Sequence, residues 1–145
     1  MKLMGVDLGQ KRIGIAISDD LGITAFGLTV IERKGDRQDC RRLRELAREY
    51  GVQGFVVGLP LNMDGSMSEG AKEALSFADK LEKYTGLPVV TKDERLTTKE
   101  ALRFMLEADM SRKRRKEVVD KSSAALILEG YLLEKRERQG ETEGS

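Results

Sequence analysis

Apolar and polar positions change rhythm several times along the chain. Residues 2–8 and 12–18 are short runs rich in Ile, Val and Leu with Gly9 between them, and they predict two strands joined by a tight turn. Residues 23–31 (ITAFGLTVI) predict a third strand, entered through Asp19-Asp20-Leu21-Gly22. Three consecutive strands with short connections predict an antiparallel meander. From residue 36 to residue 50 the period lengthens. Cys40, Leu43, Leu46, Ala47 and Tyr50 recur at helical spacing, and Gly51 stands just past the end, a common helix stop. Residues 52–57 (VQGFVV) are almost continuously apolar, as in a strand buried inside a parallel sheet.

The loop GLPLNMDGS follows, then a predicted helix over 67–84 with Ala71, Leu75, Ala78 and Leu81 on one face, and a short strand over 88–92. Thr97-Thr98-Lys99-Glu100 reads as a capping box opening a helix that runs to about Asp109. A last amphipathic helix is predicted from about Glu117 to about Arg136, with Val119, Leu126 and Leu133 in its stripe. The order βββαβαβαα predicts an α/β fold: a mixed sheet of three antiparallel strands followed by parallel βα units, with helices on its faces. It predicts one domain over residues 1–136 and a polar, frayed tail over 137–145.

Composition narrows the chemistry. The 145 residues are 39% hydrophobic and 35% charged, the profile of one soluble globular domain. The single cysteine, Cys40, cannot form an internal disulfide, and no apolar run reaches membrane-spanning length. The reading is of a cytoplasmic protein with no membrane partner. The chain has no histidine, which excludes Ser-His-Asp and Cys-His triads and histidine-ligated zinc. A metal would have to be held by oxygen, which selects Mg²⁺ or Mn²⁺. The formal net charge is only +1, so any attraction to nucleic acid must be local.

Asp7 lies inside an apolar strand, where a carboxylate is costly unless it is paired, hydrogen-bonded or bound to a metal. An ion pair to Lys11 or Arg12 is the structural explanation; a functional carboxylate is the other. Gly9-Gln10-Lys11-Arg12 is a tight turn carrying two cations, suited to an anion or to an ordinary solvated hairpin. It is no dinucleotide fingerprint, and no Walker A loop occurs. Asp93-Glu94-Arg95 follows the fifth strand, where sites are built at the carboxyl ends of parallel strands. Asp120 lies beside the stripe of the last helix, at its start. Arg112, Lys113, Arg114, Arg115 and Lys116 are five successive cations just before it, a candidate contact for a phosphate backbone. Aromatic residues make up only 5%, which limits stacking on unpaired bases. Three carboxylates from strand one, strand five and the last helix would repel one another unless divalent cations neutralised them. That is the arrangement of a two-metal phosphodiester nuclease, which needs no histidine.

The segments GVDLGQKRIGIAISD (5–19), VVGLPLNMDGS (56–66), KDERLTTKEA (92–101) and SRKRRKEVVDKSSAALIL (111–128) together resemble the YqgF family of RNase H-like nucleases. That family is also described as a Holliday junction resolvase or pre-16S rRNA nuclease family. The resemblance covers the chain to about residue 136. It implies an RNase H-like fold and a metal-dependent endonuclease, with Asp7, Glu94 and Asp120 as catalytic and metal-holding residues and Asp93 as the fallback for Glu94. It implies that Lys11, Arg12 and Arg95 bind substrate phosphates and that the loop from Gly58 to Ser66 flanks the site. The implied substrate is structured RNA, the 16S rRNA precursor; branched DNA is the alternative. No dimer stripe is visible, and the oligomeric state is not read. Relatives often carry Ser-Pro where Phe26-Gly27 stands here, and apolar residues or alanine where Ser122-Ser123 stand. Two rival readings are a non-catalytic binder of RNA or ribosomal particles and, last, an ATPase. The binder has no use for three acids, and the ATPase lacks a second lobe.

Overall fold

The structure, a computed structural model, describes residues 1–94 and 122–143. The described strands are β1 (Leu3–Leu8), β2 (Arg12–Ser18), β3 (Ala25–Glu32), β4 (Gly54–Leu59) and β5 (Val89–Asp93). The described helices are α1 (Asp36–Tyr50), α2 (Glu69–Thr85) and α3 (Ser123–Glu143). The predicted helix from Thr97 to Asp109 lies outside the described residues, as do Arg95, the run from Arg112 to Lys116, and Asp120.

The strands form one sheet of order β3-β2-β1-β4-β5. β1–β2 and β2–β3 pair antiparallel, and β1–β4 and β4–β5 pair parallel, as the connection lengths predict. Strand alternation gives each face its own core. Met4, Val6, Ile13, Ile15, Phe55 and Val57 pack on one face with Leu43 of α1 and with Phe77 and Leu81 of α2. Leu3, Ala16 and Val56 pack on the other with Ala124, Ile127 and Leu128 of α3. Each large side chain so buried contributes about 1.5–3 kcal/mol.

The apolar face of α1 is the predicted one: Cys40, Leu43, Leu46 and Ala47 are buried. Two other stripes differ from the prediction. On α2 the buried residues are Ala71, Ala74, Phe77, Ala78 and Leu81, whereas Leu75 is 41% exposed. The i, i+3 and i+4 set centred on Phe77 carries more buried area than one through Leu75. On α3, Leu133 is 52% exposed and five successive residues, Ala124 to Leu128, are buried. Its first turns are enclosed on all sides, so no stripe could be read from them.

The end of α3 differs too. Helical backbone continues to Glu143, past the predicted stop at about Arg136. Residues 134–138 (EKRER) bury little, but Glu, Lys and Arg are good helix formers, so propensity extends what packing begins. At its other end, Ser122 accepts a hydrogen bond from the Ala125 amide at 3.1 Å through Oγ, which makes it the helix N-cap. The serine that departs from the family pattern therefore caps the start of the helix.

A charged cluster joins β3, α1 and α2. Asp39 is 2% exposed and accepts from Arg33 Nε at 3.3 Å and from the Lys34 amide at 3.0 Å. Arg33 Nη2 donates to Asp36 at 2.7 Å, and Asp36 also accepts from Lys80 Nζ at 2.7 Å. Every carboxylate there faces a cation, so burial is compensated.

Candidate active site

The apolar sequence around Asp7 makes a strand whether or not the aspartate belongs there, because β1 is held from both sides. Met4 to Leu8 pair with β2, and Leu3 to Val6 pair with β4. Alternation then turns Asp7 to the α3 face with Leu3 and Gly5, near the carboxyl end of β1. On β5 the same alternation turns Lys92 to this face, where it pairs with Glu134 of α3. Asp93 is directed to the opposite face and Glu94 returns to this one, its amide bonded to the Leu59 carbonyl at 3.1 Å.

Asp7 and Glu94 meet across β4. Their carboxyls share a hydrogen bond, and both are half-buried. Among the described residues Asp7 bonds Glu94 and not Lys11 or Arg12, so the ion-pair explanation of Asp7 gives way to a pair of acids. Glu94, not its neighbour Asp93, is the partner.

Gly58 is what lets them meet. It stands on β4 one step beyond the Val6–Val57 pair, between the two acids. A Cβ there would run into Glu94 Oε1 and would lie 2.6 Å from Ile127 Cδ1. Gly5 does the same for α3: a Cβ would lie 2.7 Å from the Ala124 carbonyl oxygen and 2.9 Å from Leu128 Cβ. The start of α3 thus sits directly on β1, and on the β2 side Gly14 lies at ordinary contact distance from Asp7 and Ala124. Gly5 and Gly14 were absent from the predicted site, and Gly58 entered it only as the start of the flanking loop. A glycine inside an apolar strand signals close approach of another group, and that signal was present in all three strands.

Two carboxylates cannot both stay ionised at hydrogen-bonding distance in a half-buried site. Glu94 is pushed up to about 7, first by burial and then by the charge and hydrogen bond of Asp7, with Asp93 adding to the effect. Asp7 is also raised by burial, opposed by the hydrogen bond from Glu94. One proton shared by the pair answers the repulsion; a cation of higher charge would answer it more fully. The donor set is hard oxygen, which fits Mg²⁺ or Mn²⁺. Among the described residues no three acidic, histidine or cysteine groups cluster closely enough to hold a metal, so Asp7 and Glu94 form a pair.

Lys11 and Arg12 are exposed on the β1–β2 turn, four and five residues past Asp7. The loop after β4 is closed on itself: Asn62 Nδ2 donates to Ser66 Oγ at 2.9 Å, and the Ser66 amide donates to Asp64 Oδ1 at 2.9 Å. An ordinary structured turn accounts for those contacts.

A mixed sheet of order 3-2-1-4-5 with two acids meeting at the carboxyl ends of its parallel strands defines an RNase H-like α/β protein. The chain belongs to the RuvX family, the YqgF family of the sequence reading: the family model described as "Holliday junction resolvase" matches residues 1–134. It is 51% identical over 132 residues to the "Putative pre-16S rRNA nuclease" of Symbiobacterium thermophilum, covering 91% of this chain and 92% of that one. It is 52% identical to the protein of the same name from Syntrophomonas wolfei, covering 91% and 94%. A solved structure, Thermus thermophilus RuvC in complex with a Holliday junction substrate, matches with a TM-score of 0.50 at 16% identity, covering 88% of this chain and 91% of that one. That likeness confirms the fold. Among the described residues no helix is long and apolar enough to cross a membrane.

Proposed function

We propose that this protein is a divalent-cation-dependent endonuclease that hydrolyses phosphodiester bonds in the precursor of 16S rRNA. The observation that carries the reading is the Asp7–Glu94 pair, two acidic groups that the fold brings together in a half-buried site. Asp120 is the third acid, two residues before the N-cap Ser122 in sequence. These three would hold Mg²⁺ or Mn²⁺ in a two-metal arrangement. Held by these carboxylates, such cations would supply activation of water and neutralisation of charge on the phosphate and leaving oxygen.

The chain's own part is positional. Gly58 and Gly5 let the acids and the start of α3 approach, and Glu94 would hold a cation as its carboxylate. Lys11 and Arg12 offer charge to the substrate backbone beside Asp7, and Arg95 and the run Arg112, Lys113, Arg114, Arg115 and Lys116 extend that path. The names of the relatives support the rRNA substrate, and a cytoplasmic enzyme meeting ribosomal precursors is part of this reading. A four-way DNA junction is the second reading, favoured by the description of the family model. The domain carrying this activity spans residues 1–136.

The deciding experiment is cleavage of labelled precursor 16S rRNA and of a four-way DNA junction, with Mn²⁺ and with EDTA, by the protein and by Asp7→Asn. The reading expects Mn²⁺-dependent cutting of the rRNA that is lost in the variant. Symmetric cutting of the junction with the rRNA left intact would select the resolvase reading. No cutting of either by folded protein would leave a nucleic-acid binder.

A further inference from the structure

Beyond the strand ladders that flank it, the β1–β2 turn that carries Lys11 and Arg12 is tied to the body of the protein by Arg33. Arg33 follows β3 directly. Its amide donates to the Lys11 carbonyl at 2.9 Å, and its guanidinium Nη1 donates to the Gly9 carbonyl at 3.2 Å. The turn itself closes with the Gly9 amide donating to the Arg12 carbonyl at 2.9 Å. Two carbonyls of the turn therefore end on Arg33.

The guanidinium is fixed in turn. Nη2 meets Asp36 at 2.7 Å, Nε meets the buried Asp39 at 3.3 Å, and the guanidinium carbon lies 5.9 Å from the centroid of the Phe77 ring. The planar fork thus links the turn to α1 and, through Lys80 on Asp36, to α2. A lysine presents a point charge and cannot span the Gly9 carbonyl and both carboxylates together.

We propose that Arg33 is a positioning residue for the site: it fixes the β1–β2 turn and so presets Lys11 and Arg12 at the end of the strand that carries Asp7. Both cations are exposed side chains on a short turn, where unrestrained motion would have to be frozen when a phosphate backbone binds. The structure removes the backbone part of that cost before substrate arrives. The inference rests on the nuclease reading for what the turn serves, and on geometry alone for what holds the turn.

The test compares Arg33→Lys with Leu81→Val, a core loss on α2 with no link to the turn. Hydrogen exchange of the Gly9 amide and KM for precursor 16S rRNA cleavage in Mn²⁺ are the readouts. In Arg33→Lys the Gly9 amide exchanges about tenfold faster than in Leu81→Val, as expected for local release of the turn. KM rises about tenfold with kcat nearly unchanged, the effect of misplaced binding groups. The KM effect disappears when Lys11 and Arg12 are both replaced by alanine, because Arg33 acts through them. Unchanged Gly9 exchange, or an unchanged KM, overturns the proposal. A parent protein that cuts no RNA would refute the nuclease reading, and Gly9 exchange would still decide whether Arg33 holds the turn.

Discussion

Two clusters of charge flank the β1–β2 turn, and they are built on opposite rules. Around Arg33, each carboxylate meets a cation: Asp36 and Asp39 bind Arg33, and Asp36 also binds Lys80. Around Asp7, two acids meet each other, and the pKa of each is raised by burial. The first cluster is complete as it stands and holds α1, α2 and the turn together. The second pairs like charges, and burial together with the charge of Asp7 pushes Glu94 up to about 7. Burial of charge is thus no single signal. Its meaning depends on whether the partner has the opposite sign.

The largest expected effect comes from breaking the second cluster. Asp7→Asn should lower Mn²⁺-dependent cleavage by about 10³-fold or more, because cation binding and transition-state charge stabilisation fail together. The melting temperature should hold or rise, since the change removes a repulsion; single-turnover kinetics and thermal melts check both. The mirror experiment breaks the first cluster. Asp39→Asn should cost about 3 kcal/mol of stability by leaving Arg33 without its buried partner, as measured by urea unfolding. The two variants should therefore divide activity from stability.

Gly58→Ala should cost about 10²-fold in kcat/KM, because the new methyl group displaces Glu94 and a misplacement of about 1 Å is enough for such a loss. The smallest effect is a pH dependence. Glu94 titrates near 7 in the folded protein against 4.5 for an ordinary glutamate. Between those values the folded chain keeps a proton that the unfolded chain has released. Stability without metal should therefore fall as pH rises from about 4.5 to about 7 and then level off. The carboxyl is only half-buried and solvent screens it, so the fall should be about 1–2 kcal/mol. Glu94→Gln should flatten that part of the curve in urea titrations run at successive pH values.

The order of strands and helices along the chain and the face of the first helix were legible because their signals are local. Alternation around Val6 and Ile15 and the period of Cys40, Leu43 and Ala47 depend on near neighbours. The stripes of α2 and α3 were harder. Alanines such as Ala74 and Ala124 are buried against a close backbone, and their small side chains give little periodic contrast. Asp7 was legible as an anomaly, but its partner was not: Glu94 lies 87 positions away, and only the parallel pairing of β1, β4 and β5 brings it near. Arg33 was overlooked because an arginine after a strand has no distinctive spacing. Its role comes from four contacts on three elements.

The central claim is that the Asp7–Glu94 pair is a cation site. The most direct measurement is calorimetric titration of the protein with Mn²⁺ near pH 6, in two buffers of different ionisation enthalpy, alongside Asp7→Asn. The account predicts saturable binding that releases about one proton per cation, as Glu94 gives up the shared proton, and an affinity at least about tenfold weaker in the variant. Binding without proton release, or equal affinity in the variant, would place the cation elsewhere and contradict the account.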